Sequence, residues 1–190
     1  MRKILLIAAM AFAATTGFAQ QKFAHVNFQE LVQLMPDADK ARETIQASSA
    51  EAQETYQSML DEFNAKYSTY NQKAGTWTQA IRESKEKELT EIQQRIQEFG
   101  QSVQAELQQQ EQSLMAPIYQ KANDTVKELA KAAGFVYVFD VSTLLYYDET
   151  QSVNLTPAAR KALGIAEDRT LESLQKELQA KQAAAEPAQK

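Results

Sequence analysis

The chain has 190 residues, no cysteine, a single histidine and a formal net charge of −5. That length suits one or two domains with apolar content enough for a core. Without cysteine no disulfide holds the fold, a lone histidine leaves no histidine-rich metal site or histidine triad, and the acidity opposes nucleic-acid binding through phosphate neutralisation.

In chain order, Arg2 and Lys3 precede the apolar stretch Ile4 to Phe12, and Gly17-Phe18-Ala19 makes a small-x-small site before Gln20. Residues 1–19 therefore read as a cleaved secretory signal, too short in its apolar part to span a membrane. Its removal leaves 18 basic against 25 acidic side chains, a net charge of −7. No cysteine follows the cleavage site for lipid anchoring, and no later apolar run approaches a membrane span. The mature protein is expected to be exported and soluble.

Lys22 to Phe28 is rich in strand formers, and Leu31 to Met35 makes a short apolar helical turn that Pro36 stops. Asp37 or Asp39 is placed to cap the next helix. Between Pro36 and Pro117 there is no proline and there are only two glycines, Gly75 and Gly100. Apolar residues recur there every three or four positions, the spacing of a helix with one buried face. Tyr56, Phe63, Tyr70 and Trp77 stand seven apart on one slowly drifting stripe. Two arms can be registered antiparallel with facing numbers summing to 155: Tyr56 with Phe99, Met59 with Ile96, Phe63 with Ile92, Ala52 with Val103. The apex then falls near Trp77 and Thr78, Pro36 comes near Pro117, and each arm extends roughly 57 Å at 1.5 Å per residue.

The second helix is expected to continue past Pro117 with a kink and to end at Gly134. Phe135 to Phe139 and Leu144 to Tyr147 read as two strands around a turn at Asp140 to Thr143. Thr156 reads as the cap of a short helix with Pro157 at its first position and Gly164 at its close. Leu171, Leu174 and Leu178 suggest one or two further amphipathic turns before a loose tail. The predicted fold is mainly α with a small β body: signal 1–19, body 20–36 and 117–165, helical hairpin 37–116, and a helical or loose tail 166–190.

A two-helix hairpin leaves each seam residue half wet, while ordering each backbone residue costs about 1–2 kcal/mol, so a flexible tip is expected. Three short apolar strands do not make a self-sufficient sheet. Several chains sharing one core would solve that, with Val136, Val138, Phe139 and Leu145 in the shared core. An obligate oligomer is expected.

The strand Lys22-Phe-Ala-His-Val-Asn27 resembles the first strand of the Skp/OmpH family of periplasmic chaperones. So do Pro117-Ile-Tyr through Ala133-Gly-Phe-Val-Tyr-Val-Phe-Asp140, Leu144-Leu-Tyr-Tyr147, and Leu155-Thr-Pro to Leu163-Gly-Ile165. The resemblance implies a jellyfish-like homotrimer that holds unfolded outer-membrane proteins between helical arms without ATP. This chain departs from the basic members of that family in being acidic, and the residues after Ile165 lie outside the match.

Tyr67, Tyr70 and Trp77 are candidate client contacts, since aromatics offer large amphipathic area; packing between the arms is the competing reading. Lys73, Arg82, Lys85 and Lys87 make the tip locally positive and are candidate contacts for anionic lipid headgroups or acidic segments of a client; the family resemblance adds lipopolysaccharide as a partner, with no motif that maps its site onto particular residues. Against that stands a solvated helix face with pairs such as Lys87 to Glu91. No glycine precedes a lysine, which excludes the phosphate-binding G-x-x-x-x-G-K loop. No cofactor, metal or catalytic residue is assigned. The alternative to a holdase is a periplasmic spacer or adaptor whose hairpin docks an envelope partner.

Overall fold

The computed structural model describes residues 23–185. The predicted signal at 1–19 and the last five residues lie outside that range. The described residues form two compact units, the first made of residues 23–32 and 122–185 and the second of Gln33–Lys121.

In the first unit, strand β1 (Phe23–Val26) is the centre of a three-stranded sheet, flanked by β2 (Tyr137–Asp140) and β3 (Ser152–Asn154). Both neighbours run parallel to β1, with His25 opposite Phe139 and Asn154. The expected strand at Leu144 to Tyr147 is therefore replaced by β3. A second strand parallel to β1 requires the chain to return first, and residues 141–151 are that return. The Asp140 carboxylate starts it by accepting from the backbone N–H and hydroxyl of Ser142, at 3.1 and 2.8 Å.

Helix α1 (Phe28–Leu34) opens with the Asn27 side chain accepting from the Glu30 N–H at 3.0 Å. Helix α4 (Thr156–Ala162) is capped differently from the sequence expectation. Thr156 is the first helical residue; Asn154 Oδ1 accepts from its N–H at 2.9 Å. The Thr156 hydroxyl is thereby free to accept from the Asn27 N–H at 3.0 Å, tying β1 to α4. Gly164 closes this helix at φ 72°. Helix α5 (Leu171–Ala185), with fifteen residues, is longer than the expected turn or two. Thr170 and Ser173 cap it reciprocally, each hydroxyl accepting from the other's backbone N–H. Ala24, Val26, Leu31, Leu155, Ala159, Leu163 and Leu174 are buried in this unit.

The second unit is the antiparallel pair of α2 (Pro36–Lys73) and the part of α3 (Gln79–Ala133) that precedes Ala122. Pro36 opens α2 rather than merely ending α1, because a first-turn N–H has no helical partner to lose. Met35 is the cap residue and no side chain caps it, so neither Asp37 nor Asp39 serves. Instead Asp37 takes the Lys121 ammonium at 2.6 Å, and Asp39 pairs with Arg42. The helix α3 runs through Pro117. Its C-terminus is closed by Gly134 at φ 70°, where the Phe135 N–H reaches Ala130 O at 3.0 Å.

Cross-arm contacts fix the register near the predicted sum: Lys66 with Glu88, Tyr70 with Glu86, and Ser48 with Gln110 at 3.0 Å. The turn is a single 3₁₀ segment, Ala74–Thr76, followed by Trp77 and Thr78. Thr78 caps the returning arm, its hydroxyl accepting from the Ile81 N–H. Between Arg42 and Pro117 Ile92 is the one buried side chain; Met59, Phe63, Ile96, Phe99 and Val103 are half-buried.

Candidate functional site

At the hairpin apex, the turn folds Trp77 back so that its ring meets Tyr70 edge-on, with centroids 6.0 Å apart. The Tyr70 hydroxyl donates across the arms to Glu86, and that bond raises the phenol's pKa. One turn closer to the base, the Lys66 ammonium bridges to Glu88, which also takes Lys85 at 2.8 Å. Hydrogen bonds from these two ammonium groups hold the Glu88 carboxyl at about 2, far below its ordinary 4.5. Together these groups frame a hollow of about 290 Å³, floored by Ala65 and Leu89. Half-buried Phe63 and exposed Tyr67 stack one turn apart on α2, with ring centroids 5.8 Å apart.

Of the three aromatic candidates, the structure brings Tyr70 and Trp77 together as half-buried packing partners, and leaves Tyr67 exposed at 49%. The four candidate cations do not form one cluster. Lys85 is held by Glu88, and Lys87 pairs along the helix with Glu91 at 3.7 Å. Lys73 and Arg82 are exposed near the turn, Arg82 close enough for its charge to act on the Tyr70 phenol. Arg95 reaches across to Glu62 at 3.7 Å. Lys66 and Glu88 were not singled out from the sequence, although a facing sum of 155 places them within one residue of each other.

The sheet in the first unit carries a separate candidate surface. Strand alternation puts Phe23 and His25 on one face of β1, and the parallel register adds Tyr137 and Phe139 to that face. Phe23, Tyr137 and Phe139 form a ladder with ring centroids 6.0–6.3 Å apart. Tyr137 remains 54% exposed and Phe139 40%. The returning segment crosses this face, setting the Tyr147 ring 4.7 Å from His25. His25 Nδ1 and Ser152 Oγ are 2.6 Å apart, holding the ring against β3. Leu145 and Tyr146 on that segment are turned out to solvent.

The four residues expected in a shared core do not share one face. Phe139 belongs to the aromatic ladder, whereas Val138 is the register partner of Ala24 and lies on the opposite side. Val136, before β2, is exposed, as is Leu145 on the returning segment. Tyr137 is the ladder residue that sequence reasoning missed. Its signal was its odd-numbered position beside Phe139, usable only once the strand's facing was known.

Among the described residues no group of three or more His, Cys, Asp or Glu side chains could hold a metal ion, and no helix is long and apolar enough to cross a membrane.

A small parallel sheet joined to two very long antiparallel helices defines the fold class. The family model for outer membrane protein (OmpH-like) matches residues 22–163, and the chain belongs to that family. A solved structure from Caulobacter crescentus, assigned as an OmpH-like outer membrane chaperone, shares the fold with a TM-score of 0.69. It is 17% identical, and the match covers 82% of this chain and 94% of that one. No curated protein matches the chain.

Proposed function

We propose that this protein is an ATP-independent periplasmic holdase that binds unfolded outer-membrane proteins and keeps them from aggregating. The observation that carries this reading is the hairpin seam. Between Arg42 and Pro117 it buries only Ile92, leaving Phe63, Phe99 and Val103 half-buried and Tyr56 and Tyr67 exposed. Such a surface offers many weak, adaptable apolar contacts and no single deep pocket, which suits a client without fixed structure. Family membership over residues 22–163 supports the same reading. Export to the periplasm rests on the charged and apolar pattern of Arg2 to Phe12 before Ala19.

The working unit is a homotrimer. The three-stranded sheet leaves Tyr137 and Phe139 exposed on one face and Tyr146 on the segment that crosses it, and further copies covering that face would remove the aromatic area from water. Tyr67, Tyr70 and Trp77 are client contacts near the tip. Lys73 and Arg82 are better placed than Lys85 and Lys87 for an anionic headgroup, because the latter two are paired with carboxylates.

The test is dilution of a urea-denatured outer-membrane barrel into buffer with the mature protein and no nucleotide. Scattering should fall as the chaperone is raised towards excess. Unchanged scattering at every ratio would overturn the proposal.

A further inference from the structure

The hairpin unit is divided by charge along its length. Residues 66–95, around the turn, carry six lysines and arginines and four carboxylates. Residues 43–65 and 96–120, which face each other below it, carry eight carboxylates and no lysine or arginine. Of these, Glu62 is neutralised by Lys66 and Arg95 from the apex side. Glu51, Glu54, Glu106 and Glu111 are exposed on the two facing arms.

Folding does not require this. The apex pairs its charges along and across the helices, as in Lys85–Glu88, Lys87–Glu91 and Lys66–Glu88. Pairs at i,i+3 and i,i+4 support a helix slightly. Two adjacent helices bearing carboxylates alone forgo that support and repel one another slightly.

The same stretch contains a groove of mixed character, with Phe99, Val103 and Leu107 beside Thr55 and a Gln110 amide that donates to Ser48. The small residues Ser48 and Ala52 of α2 face Phe99, Val103 and Leu107 of α3, leaving a hollow of about 400 Å³ with Glu51 and Glu106 at its rim. The side chains of its floor are half-buried, so an apolar group entering it would complete their burial. The groove lies wholly within the cation-free stretch.

We infer that this mid-arm groove selects polypeptide segments in which apolar side chains alternate with lysine or arginine. The apolar groups fill the hollow between Ala52 and Val103, and the cations meet the carboxylates of Glu51, Glu54, Glu106 and Glu111. Acidic segments are repelled from the shaft. This deepens the holdase reading and rests on it: it names the class of client segment that the arms prefer.

The experiment uses the mature protein and three disordered peptides with identical apolar residues, whose remaining positions are lysine, glutamine or glutamate. At low salt the lysine peptide should bind about tenfold more tightly than the glutamate peptide, with the glutamine peptide between them. The preference should shrink as ionic strength rises and the Debye length falls to about 8 Å at 0.15 M. The combined variant Glu51→Gln, Glu54→Gln, Glu106→Gln, Glu111→Gln should lose the preference. Glu128→Gln with Glu167→Gln, equally exposed carboxylates of the other unit, should keep it. Ala52→Trp, which fills the hollow, should weaken all three peptides alike. Equal binding of the three peptides, tighter binding of the glutamate peptide, or an unchanged preference in the quadruple variant overturns the inference. In those cases suppression of barrel aggregation still stands as support for the holdase. Failure of all three peptides together with failure to suppress aggregation overturns both.

Discussion

Gly164 and Gly100 are chemically identical and should respond to alanine with opposite signs. Gly164 stands at φ 72°, where a Cβ is strained whatever the space around it, and nothing lies within 4 Å. Gly164→Ala should therefore cost about 1–2 kcal/mol through backbone strain. Gly100 lies inside α3 with equally open space. There alanine removes conformational freedom from the unfolded chain and should stabilise by about 0.5–1 kcal/mol. Thermal unfolding of both variants checks the pair. Equal and same-sign shifts would mean that the left-handed cap at Gly164 is absent in solution. Arg160 shows what a single residue can hold without a sequence signature. Its guanidinium donates to Glu30 at 2.6 Å and to the carbonyl oxygens of Ala166 and Arg169. It thus joins α1, α4 and the approach to α5. Arg160→Gln should cost about 2–3 kcal/mol, since hydrogen bonds to charged groups contribute about 1.5–3 kcal/mol; chemical denaturation measures it. Nothing in the sequence marks Arg160 apart from the chain's other arginines, because Glu30 lies 130 residues away and the Ala166 and Arg169 partners are backbone carbonyls.

At the scale of elements, legibility followed the range of the interactions. The helix-long arms were readable because one apolar residue every three or four positions repeats many times, and an error at one position is corrected by its neighbours. Antiparallel facing then placed the apex at Trp77 and Thr78, beside the observed 3₁₀ turn at Ala74–Thr76. The glycine closures at Gly134 and Gly164 were readable because a positive φ is a local demand. The third strand was not. Ser152–Asn154 has little strand propensity and is recruited by backbone pairing with β1, while the more strand-like Leu144 to Tyr147 is spent on the return across the sheet. The apex was legible in composition and partly in pairing: Lys87 with Glu91 follows from helical spacing, whereas the cross-arm bridge of Lys66 to Glu88 depended on rotamers and register. The Glu88 lock carries a pH signature. Its folded pKa, near 2, lies below the ordinary 4.5, so its stabilisation of the apex is fully present above about pH 4.5 and is lost as pH falls towards 2. A Trp77 fluorescence titration should show the apex loosening across that window. In Glu88→Gln the change should be absent and the apex looser at neutral pH. A Trp77 signal that responds identically in both proteins would remove Glu88 from that role. Because Lys66 and Glu88 remain partly exposed, added salt should weaken the lock.

At the scale of the whole molecule, the question is what covers the aromatic ladder. A single chain exposes Tyr137, Phe139, Leu145 and Tyr146 around a sheet of three short strands. Burying a large apolar side chain fully contributes roughly 1.5–3 kcal/mol, so copies meeting through this face would gain from covering what these rings still expose. Phe139 is the informative position, because its ring contacts both Phe23 and Tyr137 and still presents 40% of its surface. In a trimer formed through this face, Phe139→Asp would place three carboxylates in a shared apolar region, a burial that unpaired charges do not tolerate. Sedimentation should then report the mass of three chains for the parent protein and of one for the variant. Phe139→Leu, apolar and smaller, should keep the trimer with weaker association. A variant Phe139→Asp that remains trimeric would assign assembly to another surface. A parent protein that is monomeric at all concentrations would mean that the ladder faces water or client. The aromatic rows on the hairpin and those on the sheet would then have to be weighed as competing client surfaces, and cross-linking an unfolded barrel to Tyr67 or to Tyr137 would distinguish them.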